Sequence, residues 1–208
     1  MYIPTLYREE DREKILAFLK ENNFPAIVSF DGEKPIATHA PVEVMEDEHG
    51  KLTIYGHMSR ANPQWKTFAE REILLIFQGA HTYISPRWYN HINVPTWNYK
   101  IIHVYGKARL LQGDELFALF SRLVHQHEAS ADLYSLENLP PDFVQKEMNG
   151  TVGFAIDVTQ IDAGYKLSQN RNDEDHENIV RELDKREDED SAQIARAMRE
   201  KRGKTRRK

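Results

Sequence analysis

The chain has no cysteine among its 208 residues. That absence excludes disulfides, thiolate metal sites and cysteine nucleophiles together. Long apolar runs are missing too, and nothing approaches the roughly 20 apolar residues of a membrane-spanning helix. The first residues, MYIPTLYREEDREK, hold no apolar run ahead of their charges, so no secretory leader is read and the expected setting is the cytoplasm. There is no GxGxxG, no phosphate-binding P-loop and no GxSxG elbow. Nine histidines are present, but no two form a helix pair at i, i+4 and no carboxylate companion has ligand spacing, so no metal site is expected. No carboxylate pair sits in a setting that would tune one member as an acid, and no serine stands out as a nucleophile. No catalytic residue is assigned. A reactive ligand would have to bring the chemistry with it.

What remains is a chain with 40% hydrophobic and 29% charged residues, as in a soluble globular protein. A net charge of −5 argues against a wholly basic nucleic-acid binder. The charge is unevenly placed. Residues 173–190 hold ten acids and three bases, whereas residues 191–208 hold eight bases and one acid. Such a pair of blocks is either a solvated helical pair or an interaction tail. The expected organisation is one domain over residues 1–172 and a charged helical extension over 173–208.

Hydrophobic periodicity predicts a helix over residues 8–22, then a strand from Ala26 to Phe30. Asp31-Gly32 is a hairpin turn signal, and Pro35 to Val44 reads as the return strand. Another strand runs from Lys51 to Tyr55. Asn62 is a good N-cap with Pro63 at the first helical position, predicting a helix to about Glu70. Glu72–Gln78 is an apolar strand. Asn98–Leu111 is a long strand with a bulge or bend expected at Gly106. Helices are predicted from Gly113 to about Glu128 and from Asp142 to Met148. Thr151–Ile161 is a last long strand that Ala163–Leu167 would extend. Beyond Asp173 the pattern is helical, anchored by Ile179, Val180, Leu183, Ile194, Ala195 and Met198. About six strands linked mostly by hairpins predict a mainly β protein, an antiparallel barrel with peripheral helices. Closure would remove exposed edges.

Two segments carry the chemistry. Phe77–Tyr99, FQGAHTYISPRWYNHINVPTWNY, packs two Trp, three Tyr, two Pro and two His among hydrogen-bonding side chains. It offers flat aromatic faces to a planar, polar-edged ligand, or it is an aromatic loop over a barrel end. In GHMSRANPQW (56–65), Ser59 and Arg60 stand close to the start of the expected helix. That is a phosphate-binding corner, or an ordinary capped helix with a solvated arginine.

These residues resemble the PaiB family of FMN-binding negative transcriptional regulators. The likeness is carried by Thr38-His39-Ala40-Pro41, GHMSRANPQW, FQGAHTYISPRWY (77–89), VPTWNY (94–99), HVYGKARL (103–110), VGFAIDVTQI (152–161) and KLSQNR (166–171). It covers about residues 1–180. The resemblance implies a Greek-key split β-barrel, related to pyridoxamine-phosphate oxidase-like proteins. It also implies a homodimer with FMN at the subunit interface. By the same likeness, His39, His57, Ser59, Arg60, Asn62, Gln78, His81, Trp97, Asn98 and Tyr99 are candidate FMN contacts, Ser59 and Arg60 for the phosphate. KLSQNR is either a further polar contribution or a barrel-closing strand end with a helix cap.

The implied function is repression of genes for degradative enzymes and sporulation. No helix-turn-helix pattern is visible. The basic concentration at Arg199, Lys201, Arg202, Lys204, Arg206 and Arg207 is the candidate contact to operator DNA, or a solubilising end. The alternative function is an FMN-dependent oxidoreductase or flavin reductase. The histidines leave a haem-binding variant of the barrel open.

Overall fold

A computed structural model describes residues 1–69, 71–128 and 134–205, apart from the side chains of residues 204 and 205. Seven strands and five α-helices follow one another as α1 (Arg12–Glu21), β1 (Ala26–Phe30), β2 (Pro35–His39), β3 (Val42–Glu46), β4 (Leu52–Ser59), β5 (Ile73–Ile84), β6 (Thr96–Leu111), α2 (Gly113–His127), α3 (Pro141–Asn149), β7 (Thr151–Lys166), α4 (Asp173–Asp184) and α5 (Glu189–Thr205).

The β1–β2 hairpin forms where Asp31-Gly32 predicted it. The Asp31 carboxylate accepts from the N–H groups of Glu33 (2.9 Å) and Lys34 (2.8 Å), closing the turn. The expected single strand from Pro35 to Val44 is instead two strands. Pro41 has no N–H to give a ladder, and the chain changes partner there. β2 pairs antiparallel with β1, while β3 pairs antiparallel with β4. The Val42 N–H goes to Asn23 O at 2.9 Å.

The strands hydrogen-bond in the order β2-β1-β5-β6-β7-β4-β3. The sheet therefore has two edges, β2 and β3, and the closed barrel expected from the sequence is corrected to an open one. Both edges are five residues long. β2 begins with Pro35 and β3 ends on Glu46, features that discourage pairing with another chain. Gly106 lies within β6, which runs on to Leu111. A Cβ there would lie 2.6 Å from the Asp157 carbonyl oxygen, so glycine is required by the approach of β7.

The described residues pack as two compact units, Met1–Phe18 with Gln78–Ile102 and Asp162–Lys208, and Leu19–Phe77 with His103–Ile161. We call them the first and second unit. β5, β6 and β7 each pass from one to the other.

The second unit's core includes Ile27, Ile54, Phe68, Leu75, Phe77, Phe154 and Ile156, all buried. Phe68 meets Phe154 edge to face, with ring centroids 5.2 Å apart. The apolar stripe of α2, Leu116, Leu119 and Leu123, packs with Leu111 and Ala155. Arg122 ties α2 to β3 through Glu43 at 2.8 Å, its guanidinium stacked over Tyr55.

In the first unit Phe18 packs against Tyr165, ring centroids 5.6 Å apart. A Cβ on Gly79 would sit 2.5 Å from the Phe18 ring, so only glycine lets β5 pass that close. The six apolar anchors expected in the C-terminal helices are all buried. Asn172 caps α4 by accepting from the Asp175 N–H at 2.8 Å, and three acids fill that first turn in line with the helix dipole. α5 is pinned to β5 where Ser191 meets Thr82 at 2.9 Å, with Arg186 donating to the same Thr82 at 2.8 Å.

Candidate functional site

The aromatic segment of the first unit is half strand and half loop. β5 continues through Gln78 to Ile84 before Pro86 starts a 3-10 turn, so the segment is not the plain loop that its composition allowed. Alternation along β5 buries Ala80, Thr82 and Ile84 and exposes His81 and Tyr83, and Gln78, ahead of a shift in that alternation, is exposed too. Trp97, at the start of β6, is 52% exposed. His81 lies 6.0 Å from the Trp97 ring and Tyr83 lies 6.1 Å from it, nearly edge-on at 72°. The Gln78 amide reaches His81 Nδ1 at 3.4 Å, and Asp190 sits 3.5 Å from the same nitrogen. Four of the ten candidate contacts, Gln78, His81, Trp97 and Tyr99, thus leave side-chain surface open in this unit.

Asn98 does not. It is 0% exposed, donates to Ser168 Oγ at 3.0 Å and accepts from the same hydroxyl at 3.2 Å. Its amide is committed inside the unit, to Ser168. Its work is to hold Ser168, which carries a positive φ of 58°.

The other five candidates lie in the second unit. The helix expected from Asn62 to Glu70 is a five-residue 3-10 helix, Pro63–Thr67. Asn62 does cap it, accepting from the Gln64 N–H at 3.0 Å and donating to Thr38 at 2.8 Å. So short a helix sums few peptide dipoles, which weakens the dipole argument for phosphate. The Gln64 side chain plugs into the sheet, donating to Ile27 O at 2.8 Å.

Arg60 is tied to the framework. Its Nε donates to Asn149 O at 2.6 Å and its Nη2 to Thr151 O at 2.8 Å, and its own N–H goes to Gly150 O at 2.9 Å. These bonds stitch the end of α3 and the start of β7 to the end of β4. Ser59 is exposed, its hydroxyl accepting from the Ala61 N–H at 3.3 Å. His39 is exposed and stacks on Phe24. His57 lies under α2, edge-on to Phe120 at 5.1 Å. Burial pushes its imidazole pKa down, and among the described residues its Nδ1 has no hydrogen-bond partner. No three His, Asp or Glu among the described residues group as a metal site.

Three of the six basic C-terminal candidates, Arg199, Lys201 and Arg202, are paired within the first unit. Arg199 pairs with Asp184, and Arg202 pairs with Asp173 while donating to Arg171 O at 3.0 Å. Lys201 reaches Glu9 at 3.0 Å. Burial works against ionising Glu9. The hydrogen bonds from Lys201 and the Asp11 N–H, with the charges of Lys201 and Lys14, outweigh it and hold the carboxyl below its usual range. The side chain of Lys204, and Arg206 and Arg207 entirely, lie outside the described residues.

Sequence reading missed the partners of these groups because they are remote in the chain. Glu9 and Lys201 are 192 residues apart, and Arg60 finds its carbonyl acceptors 89 and 91 residues on. It also passed over Asp175. This carboxylate is fully buried, accepts from the Asn90 N–H at 2.9 Å and lies 3.3 Å from His91. Its place in the first turn of α4, three residues after a capping Asn, was the available signal.

Residues 1–160 match the family described as "Putative FMN-binding domain". The chain is also 42% identical over 204 residues to the protease synthase and sporulation protein PAI 2 of Bacillus subtilis, covering 97% of this chain and 98% of that one. The chain belongs to this FMN-binding family, the PaiB family. FMN is its cofactor.

Solved structures agree on the architecture of this PaiB-family protein. The flavocytochrome Anf3 of Azotobacter vinelandii superposes with a TM-score of 0.61 at 18% identity, over 82% of this chain and 75% of that one. An FAD- and heme-binding protein of Mycobacterium smegmatis gives 0.60 at 15% identity, over 81% and 78%. At these identities the likeness concerns the fold, which is mainly β and of the split-barrel type with C-terminal helices. An FMN ring fits the donor set of the first unit. Trp97 and Tyr83 supply exposed flat surface, and Gln78 and His81 supply amide and imidazole groups for a polar ring edge. When bound, FMN supplies one- and two-electron chemistry that no side chain here provides.

Proposed function

We propose that the protein is an FMN-binding transcriptional regulator that acts as a homodimer on genes for degradative enzymes and sporulation. The observation that carries this reading is the identity to the Bacillus subtilis protease synthase and sporulation protein along nearly the whole of both chains. In this reading Gln78, His81, Trp97 and Tyr99 hold the isoalloxazine ring. His39, His57, Ser59, Arg60 and Asn62 are the proposed contacts in the second unit, with Ser59 and Arg60 directed to an anionic group. The regulatory signal is then the presence or redox state of FMN.

The C-terminal tail is the proposed contact to operator DNA. Truncating the last residues would confuse this role with stability, because Arg199, Lys201 and Arg202 pair with carboxylates of their own unit. Replacing Lys204, Arg206 and Arg207 together by Gln leaves those three ion pairs in place. Loss of operator affinity with a shallower salt dependence supports the tail, and unchanged binding removes it from the mechanism. The internal pairing of three of the six basic candidates favours keeping a second reading, an FMN-dependent oxidoreductase or flavin reductase acting in the cytoplasm. Stopped-flow mixing with reduced nicotinamide cofactors decides it. Reduction of bound flavin no faster than of free FMN rules that reading out.

A further inference from the structure

Helix α3 has nine residues, and none of them is buried. A helix that short gains most of its stability from packing its apolar face. Val144 and Met148, one turn apart on α3, instead line a cavity of about 510 Å³ that lies wholly within the second unit. Phe117 of α2 lines the same cavity, as do Leu136 and Leu139 in and after the 3-10 turn Leu136–Asn138. All five side chains are half-buried. The volume is that of an ordinary small-molecule site, and a ligand that displaced water from these five groups would gain their hydrophobic contact.

The walls are braced. Ser121 of α2 donates to Glu137 at 2.7 Å, and Gln145 donates to Asn149 Oδ1 at 3.0 Å. Arg60 is, among the described residues, the one cation that lines the cavity. Its Nε and Nη2 are fixed on the carbonyls of Asn149 and Thr151, which sets the guanidinium plane and leaves the edge through Nη1 to receive a carboxylate. Two acids share the lining. Glu137 is spent on Ser121. Asp114 is exposed in the first turn of α2, and Arg109 nearby is taken by Glu115 at 2.8 Å. The cavity thus offers a fixed cation, an exposed carboxylate and an apolar wall.

We propose that this cavity binds a short apolar peptide, its terminal carboxylate on Arg60, its ammonium at Asp114 and its side chains against the apolar wall of α2 and α3. A purely anionic ligand would meet both carboxylates of the lining, whereas a zwitterion sets each of its charges against the opposite one. A free apolar amino acid carries the same groups, and the volume favours the peptide. Arg60 is also the proposed contact to the anionic group of FMN, so peptide and FMN compete for one guanidinium. The competition rests on the FMN reading above; peptide binding does not.

The test is calorimetric titration of the full chain without FMN. The probes are L-leucine, L-leucyl-L-leucine, and the N-acetylated and C-amidated forms of that dipeptide. Saturable heat with the free dipeptide, weakened about tenfold or more by either cap, is the expected result. L-Leucine binding as tightly as the dipeptide supports the site with the amino acid as its source, and much weaker binding supports the peptide. Val144→Trp, which fills the cavity, should abolish binding, and Asp114→Asn, at an exposed position, should weaken it about tenfold. No saturable binding of any probe, capped dipeptides that bind as tightly as the free one, or a folded Asp114→Asn variant that matches wild type overturns the proposal. The dipeptide is then titrated with FMN at saturation. Lower affinity supports competition at Arg60, and unchanged affinity overturns the competition alone. Failure of wild type to bind FMN sinks the flavin reading and the competition, and the peptide site is still read without it.

Discussion

Arg60 and Asn98 show how the same kind of side chain argument ends differently once partners are known. Both sit in segments rich in family residues, and both carry donors suited to a flavin. Asn98 is fully buried and spends its amide on Ser168. Asn98→Ala should therefore cost about 1–3 kcal/mol of unfolding free energy by leaving a buried polar partner unsatisfied. Urea unfolding reads that loss directly, and a variant as stable as wild type would contradict the assignment. Arg60 stays exposed at the end of β4 despite its two carbonyl bonds. Arg60→Ala is expected to weaken FMN binding about tenfold. Lys51→Ala should have no comparable effect, since Lys51 makes an exposed ion pair with Asp157 at 3.1 Å. Equal FMN affinities for the two variants would remove Arg60 from the site.

Among the elements, α4 and α5 carry the clearest consequence. Leu183 is fully buried, and Leu183→Ala should cost about 2–5 kcal/mol, as for large-to-small changes in other cores. The expected readout is a lower midpoint in urea with an unchanged slope. These helices were legible because Ile179, Val180, Leu183, Ile194, Ala195 and Met198 repeat at helical spacing in an otherwise charged stretch. Their ion pairs were not, since a sequence shows charges but no partners across 15, 29 or 192 residues. The β1–β2 hairpin was legible from Asp31-Gly32, a local signal with a local cause. The split at Pro41 was overlooked, although a proline without an N–H was the sign. The strand half of the aromatic segment was hidden because Tyr83 and His81 face outward, so its alternation carries exposed aromatic residues where polar ones are usual.

For the whole molecule, His57, His176 and Glu9 all contribute to the acid response. His57 and His176 both have imidazole pKa values pushed down, each first by burial and His176 next by the charge of Arg202. A lowered histidine takes up its proton more readily in the unfolded chain. Stability is therefore full above the ordinary imidazole pKa of about 6.5 and falls as pH drops below it. Glu9, also lowered, contributes stability above the ordinary carboxylate range that is lost as pH falls through its lower folded value. Thermal midpoints should accordingly be flat near pH 7–8 and decline in two stages, below about 6.5 and again below about 4.5. Glu9→Gln should shrink the second stage, to which Asp31, Glu115, Glu137 and Asp188, also held below the usual carboxylate range, contribute as well, and a variant with an undiminished second stage would contradict the clamp between Glu9 and Lys201.

The central claim is that this chain binds FMN through its own residues. The measurement that tests it most directly is an FMN titration of the dialysed full-length protein, followed by flavin fluorescence and visible absorbance. Saturable binding at about one flavin per chain, weakened by Trp97→Ala, is the predicted result. No saturable binding, or binding indifferent to Trp97, would contradict it.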